Sequence, residues 1–376
     1  MVFRLDSTNV FDYLERSNFL LGKRDDATVK LLSGKNFNLL VEFPGCQPLL
    51  VKQEDIEADG TQAGEILTEW RLQQLVPQIP ELQAIAEFMP KVVHCDRANS
   101  IVINQFQDRY TDLIEYYRSL SDFSLAIPTA IGHNLALVHQ LSFNRRDYQH
   151  QIQSTIGTSE LNAQKVASSL VRIDSMVFGM MPLECLRFFK LYQQSSNLSA
   201  AIEALAQNSH ACCLVHNDLK LNNILIHKSW VDTEERIVRL IDWEKAGWGD
   251  PAGDVGMLIA SYLILWLESL IITPELTIQE SIGLAATPLE LLQPSIFTFV
   301  RSYLTSFPEI LSARPQYLLE VLRYTGLSLI IRIKANIQNE QMFGNQGIVM
   351  LQVAKQLLCS PATFMGTIFG ESADRF

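Results

Sequence analysis

An excess of positive charge, paired cysteines and a glycine-rich phosphate loop are all missing from this 376-residue chain. Lys and Arg number 30 against 41 Asp and Glu, a net charge of -11. A nucleic-acid backbone is therefore excluded as the main partner, since phosphate binding asks for a basic face. The six cysteines (Cys46, Cys95, Cys185, Cys212, Cys213 and Cys359) form no C-x-x-C pair, and Cys212 and Cys213 adjoin in an apolar run. They read as buried free thiols of a cytoplasmic protein rather than a disulfide framework. The first eighteen residues carry Asp6, Asp12 and Glu15 where a signal peptide has an uninterrupted apolar stretch. Internal repeats and low-complexity segments are lacking. The longest apolar run, Val255 to Ile272, approaches a membrane span in length. It contains Glu268 and follows directly on a polar motif, so a buried helix is expected there.

A 48% share of hydrophobic residues supplies ample core, and the length favours two lobes. A short amphipathic helix is expected from Asn9 to about Leu20. Strands follow at Thr28 to Leu32, Asn38 to Phe43 and Leu49 to Gln53, the last two joined by a Pro-Gly turn. A helix from Ala63 to Leu75 is broken by Pro77 to Pro80, and a further hairpin spans Val92 to His94 and Ser100 to Gln105. This order makes a small mixed lobe, residues 1–107. From Tyr110 apolar-periodic stretches dominate: Ile127 to Gln140, Glu160 to Val177, Pro182 to Tyr192 and Ser199 to Ala206. They make residues 108–376 a large, mainly helical lobe, with everything after Pro361 left between a loose tail and a packed segment. The fold class is α+β and bilobal.

Two motifs interrupt the helical blocks. HNDLKLNN runs from His216 to Asn223, and eighteen residues on comes IDWEKAGWGDP, Ile241 to Pro251. Asp218, Asn223 four residues beyond the next, and Asp242 nineteen residues after that asparagine are the groups phosphoryl transfer requires. That reaction asks a protein to align an acceptor hydroxyl and neutralise triphosphate charge. Asp218 is the natural acceptor of the hydroxyl proton. Asp242 leaves the end of the buried strand VRLI and can bind Mg2+, with Asn223 adding an uncharged oxygen. His216 is expected to pack within the loop and hold Asp218. Lys220, two residues after Asp218, either stabilises the transferring phosphoryl group or faces solvent. Asp250 and Asp254 flank Pro251 and are expected to cap the following helix or brace the loop.

In the small lobe, Lys52 is a lone lysine in an apolar strand, placed to meet the nucleotide phosphates. Glu69 on the next helix is its expected partner, with Glu65 one turn earlier as rival. Leu32 to Asn38 forms the nucleotide loop, with a single glycine, Gly34, and Lys35 either on phosphate or in solvent. Ile103 to Gln107 joins the lobes, and the backbone about Gln105 and Gln107 is expected to hydrogen-bond adenine.

Between Leu31 and Gly256 the chain resembles the aminoglycoside phosphotransferase and choline kinase superfamily, most sharply at HNDLKLNNILI and IDWEKAGWGDPAGD. The resemblance implies a protein-kinase-like fold and an ATP- and Mg2+-dependent enzyme. It implies Asp218 as base, Asn223 and Asp242 as metal ligands, and Lys52 with Glu69 in the small lobe. Asn217 is closer to the choline kinase branch, Gly249-Asp250-Pro251 with Asp254 to the aminoglycoside branch, and Lys220 to protein Ser/Thr kinases. The leading acceptor is a hydroxyl-bearing small molecule. A lanthipeptide-like precursor peptide served by a partner lyase stands as the alternative, with an inactive pseudokinase scaffold as a third.

Overall fold

Alternation of side chains along short strands sets the architecture of the first hundred residues. In the computed structural model, residues 3–32, 34, 36–55, 64–120, 123–157, 166, 168, 170, 182–233 and 235–370 are described. Strands β1 (Thr28–Leu32), β2 (Phe37–Glu42), β3 (Leu49–Gln53), β4 (Val92–Asp96) and β5 (Ile101–Gln105) form one antiparallel sheet, ordered β1-β2-β3-β5-β4. Leu39, Val41, Leu49, Val51, Ile101 and Ile103 turn to one face, where Val10, Tyr13 and Leu14 of helix α1 (Val10–Arg16) cover them. Val102 turns to the other face and packs with Ile66 and Leu67 of helix α2 (Ile66–Leu75). Lys52 stands opposite Val102 in the register, so the pleat that buries Val51 against α1 sends Lys52 toward α2. The helix expected from Ala63 begins at Ile66, after a turn at Glu65; Ala63 itself lies outside the described residues. Past Leu75 the prolines convert the chain to 3-10 turns, Val76–Gln78 and Pro80–Phe88.

After Gln105 the chain leaves the sheet and re-enters structure as β6 (Tyr110–Asp112), beside helices α3 (Leu113–Leu120), α4 (Ala126–Ser142) and α5 (Arg146–Ile156). Glu160 to Val177 falls almost wholly outside the described residues. Helices α6 (Leu183–Gln193) and α7 (Ser196–Gln207) follow. Two small sheets then interleave the sequence motifs. Strand β7 (Cys213–Val215) pairs with β10 (Gly247–Gly249), and β8 (Ile224–His227) lies between β6 and β9 (Val238–Leu240). The first motif bridges β7 and β8, the second bridges β9 and β10. Strand pairing therefore brings the two motifs side by side.

Beyond them the chain is helical: α8 (Pro251–Ser269), α9 (Ile278–Gly283), α10 (Leu289–Ser306), α11 (Glu309–Ala313), α12 (Tyr317–Glu340), α13 (Asn345–Cys359) and α14 (Pro361–Phe369). Helix α8 starts four residues ahead of the apolar run read from the sequence, with Asp250 as N-cap accepting the Ala252 amide and Pro251 at the first turn. Among the described residues it is the one single helix long and apolar enough to cross a membrane, but 72% of that stretch is buried inside the protein. Its companions come unusually near. A Cβ added at Gly256 would sit 2.7 Å from the Val321 carbonyl of α12, so those two helices touch backbone to backbone. The segment after Pro361 is not a tail: Met365, Ile368 and Phe369 of α14 are buried in the main core.

Candidate active site

The loop of the first motif is fastened from behind. The amides of His216 and Asn217 both donate to the Asp254 carboxylate of α8, each at 2.7 Å. The same carboxylate lies 3.1 Å from His139 Nε2, while His139 Nδ1 meets the Tyr303 hydroxyl at 2.9 Å. Tyr317 donates to Tyr303 in turn, at 3.1 Å. Asp254, His139, Tyr303 and Tyr317 are all buried completely. Burial pushes the Asp254 carboxyl up, yet the His139 hydrogen bond and the loop amides outweigh it and hold the group below its ordinary value. Asp254 thus braces the loop, while capping of α8 falls to Asp250.

Asn217 takes a left-handed backbone, φ +61°, which asparagine tolerates better than most residues. Its side-chain amide donates to the Lys245 carbonyl at 2.8 Å, which ties the first motif to the second. His216 Nε2 lies 2.9 Å from the Ile241 carbonyl and must carry the proton there, leaving Nδ1 to accept the Asp218 amide at 3.3 Å. Its ring packs on Trp243, centroids 4.6 Å apart. Fully buried and with both nitrogens engaged, His216 positions the loop rather than reaching a substrate.

In front of the loop, Asp218 Oδ2 lies 3.3 Å from the Lys220 ammonium and 3.1 Å from that of Lys245. Burial raises the Asp218 carboxyl, but the two ammonium groups, Lys245 foremost, bring it below its ordinary value. Lys245 was not singled out from the sequence. It closes a short 3-10 turn after Asp242, and only the fold shows that this turn faces Asp218. Asn223 donates its amide nitrogen to the Asp218 carbonyl at 2.8 Å, which turns its side-chain oxygen the other way.

Asp242 also has a left-handed backbone, φ +68°, at the end of β9. One of its oxygens lies 3.2 Å from Lys52 Nζ, and Glu69 reaches the same ammonium at 3.6 Å. Burial works against the Lys52 charge, but Glu69 and Asp242 override it and raise the ammonium above its ordinary value. Glu69, 1% exposed, is pushed up by that same burial. Glu65 instead opens α2 and lines the neighbouring cavity.

Gly34 lies where a Cβ would come within 2.5 Å of the Asn38 side-chain nitrogen, so a larger residue would displace Asn38. Asn36, in the same loop, donates to Glu244 at 2.8 Å and links the small lobe to the second motif. Lys35 lies outside the described residues. At the link, the Gln105 amide is taken by the Lys91 carbonyl (2.8 Å) and the Phe106 amide by Pro48 (2.9 Å). Gln107 folds its side chain onto the Gln105 carbonyl at 3.2 Å.

A cavity of about 1130 Å³ opens from Asp218 between α3, α8 and α12. Lys220, Lys245, Met257 and Ile264 are among its walls. Another, of about 700 Å³, lies against Gln105 and Gln107 at the link and holds none of the motif residues.

A sequence model of the phosphotransferase enzyme family matches residues 113–273, a span that contains both motifs. No curated protein sequence matches the chain. Solved structures do. An ethanolamine kinase of Plasmodium vivax superposes with a TM-score of 0.58 at 15% identity, covering 95% of this chain and 89% of that one. Amicoumacin kinase hAmiN, in complex with AMP-PNP, Ca2+ and Ami, gives 0.56 at 14% identity, with 94% and 93% covered. The choline kinase LicA of Streptococcus pneumoniae gives 0.51 at 16%, with 94% and 100% covered. At these identities the likeness establishes the fold, which is protein-kinase-like, α+β and bilobal. With the family match it bears out the resemblance to the aminoglycoside phosphotransferase and choline kinase superfamily. The family match across both motifs marks the chain as a phosphotransferase enzyme.

Proposed function

We propose that the enzyme transfers the γ-phosphoryl group of ATP to a hydroxyl of a small-molecule acceptor, with Asp218 as base. The observation that carries this reading is the position of Asp218. It stands at the mouth of the 1130 Å³ cavity, flanked by two ammonium groups and braced from behind. A carboxylate held below its ordinary value stays ionised, and so can orient an acceptor hydroxyl and take its proton. Lys220 and Lys245 are placed to meet negative charge on the group in transit. Lys52, fixed between Glu69 and Asp242, is the partner for the nucleotide phosphates. Gly34 and the backbone at Gln107 bound the nucleotide side.

Among the described residues no group of three or more His, Cys, Asp or Glu side chains is arranged to hold a metal. The Asp242 carboxylate and the Asn223 amide oxygen remain, a sparse set of oxygen donors. Such a set fits Mg2+, which keeps waters and phosphate oxygens as its other ligands. Bound there, the ion would neutralise triphosphate charge. Two of the structures similar in fold are named as an ethanolamine kinase and a choline kinase, and both named compounds bear a hydroxyl, which supports the same broad class here.

The test is phosphoryl transfer from labelled ATP, in Mg2+, to a pool of hydroxylated small molecules, read by mass spectrometry. A product heavier by one phosphoryl group, lost with Asp218→Asn while nucleotide still binds, is expected. Equal turnover by that variant would remove Asp218 as base. Nucleotide binding with no transfer to any acceptor would count against the reading itself.

A further inference from the structure

The far end of the acceptor cavity is lined by a charged cluster with no part in the chemistry above. Arg332 of α12 lies 2.7 Å from Glu268 of α8, and Arg118 of α3 reaches the other oxygen of that carboxylate at 3.8 Å. Two guanidinium groups therefore share one carboxylate, a surplus of one positive charge. They offer ten N–H donors in all to its two oxygens. Arg332 Nε is buried with no hydrogen-bond partner among the described residues, although the side chain as a whole stays 40% exposed. Lys334 lines the same cavity, and burial pushes its ammonium below the ordinary value.

Helix α8 sets the spacing between this cluster and the anchor of the catalytic loop. The catalytic loop is pinned to that helix where the Leu221 amide donates to Ser261 at 3.0 Å. Glu268 lies seven residues further along the same helix, two turns or about 10 Å. Ile264 of α8 lies between the two, Met257 and Ala260 lie on the loop side of Ser261, and Ser328 and Ile331 of α12 with Ile114 of α3 also line the cavity. A cavity for a quaternary ammonium would present aromatic faces and uncommitted carboxylates. Among the described lining residues none is aromatic, and Glu268 is already held by two arginines. The other two carboxylates besides Asp218, Glu65 and Glu244, belong to the nucleotide side: Glu65 opens the helix that carries Glu69, and Glu244 accepts from Asn36.

We infer that the acceptor is an extended molecule with the reacting hydroxyl at one end and an anionic oxyacid group at the other, joined by a spacer about 10 Å long, the rise of α8 from Ser261 to Glu268. Arg118 and Arg332, aided by Lys334, bind the anionic end. The inference rests on the proposed transfer at Asp218 and names the acceptor class for that same site.

Hydroxy-terminated straight-chain carboxylic acids of eight to twelve carbons are suitable probes. Amino alcohols and diols of the same lengths, and choline, are the controls. The full chain is given Mg-ATP and each compound, and the rate of transfer is measured with matched binding titrations. A kcat/KM for the carboxylates at least about tenfold above that for the amino alcohols is expected, the effect of a charge-assisted hydrogen bond. Arg118→Gln with Arg332→Gln should raise KM for the carboxylates about 10- to 100-fold, and leave kcat on the diols unchanged. A preference for the amino alcohols or choline overturns the inference and leaves phosphotransfer standing. So does an equal loss on all acceptors in the double variant, which would make the cluster a tie between helices. Transfer to none of the probes, with carboxylates and amino alcohols binding alike, overturns it too. Carboxylate-selective binding without transfer would keep the recognition and remove the assignment of the reaction instead.

Discussion

The two sides of the catalytic loop are built in different ways. Behind it, Asp254 is held by two backbone amides and by His139, with Tyr303 and Tyr317 completing a chain closed to solvent. In front, Asp218 is held by Lys220 and Lys245, whose side chains are 39% and 41% exposed. Both carboxylates are kept below their ordinary value, one by fixed partners and the other by long side chains in contact with water. A buried hydrogen-bonded group is costly to disturb, whereas exposed ion pairs contribute little to stability and rearrange readily. The rear is therefore framework, and the front remains free to exchange its lysines for substrate charge.

Substitutions that separate turnover from stability test that division. Asp218→Asn should lower kcat by about 10²- to 10⁴-fold, the range for loss of a positioned base, with the melting temperature nearly unchanged. Steady-state kinetics beside calorimetry decides it. Asp254→Asn should act the other way, costing about 3 kcal/mol of stability because buried donors lose their shared anion. That cost has a pH signature. Asp254 titrates lower in the folded chain than in the unfolded one, so its contribution is present above the ordinary carboxylate range. As pH falls through the folded value, it is lost. Denaturant unfolding of the two proteins should therefore differ most at neutral pH and converge in acid; a constant gap would contradict the brace. Lys52→Met should weaken nucleotide binding about tenfold in a titration, as expected for a charge-assisted contact. Lys245→Met should be the mildest, within about fivefold in kcat/KM, since an exposed pair contributes at most about 1 kcal/mol. A collapse of stability in that variant would erase the contrast between front and rear.

What the sequence made legible follows the same division. Asp218, Asn223 and Asp242 lie within twenty-five residues of one another, and the chemistry fixes their spacing. Lys52 and Glu69 stand on adjacent elements of a lobe whose strands alternate cleanly. The rear brace joins His139, Asp254 and Tyr303 from three distant helices, and no local pattern links them. Asp254 alone was visible, because it follows Pro251 at a helix start. Arg118, Glu268 and Arg332 were hidden for the same reason: each reads locally as a surface charge, and only the packing of α3, α8 and α12 gathers them. The closing helix, Pro361–Phe369, stayed open in the sequence because Phe364, Met365, Ile368 and Phe369 are apolar but the segment is short.

Gly256 sets a dimension that no charged residue controls. It lies on α8 one residue before Met257, at the point where α8 and α12 meet backbone to backbone. Both helices also wall the acceptor cavity, and the absence of a single methyl group at Gly256 lets them approach. An alanine there would act as a wedge between the two helices. The calibre of that cavity thus depends on a residue outside its lining, one that carries no side chain.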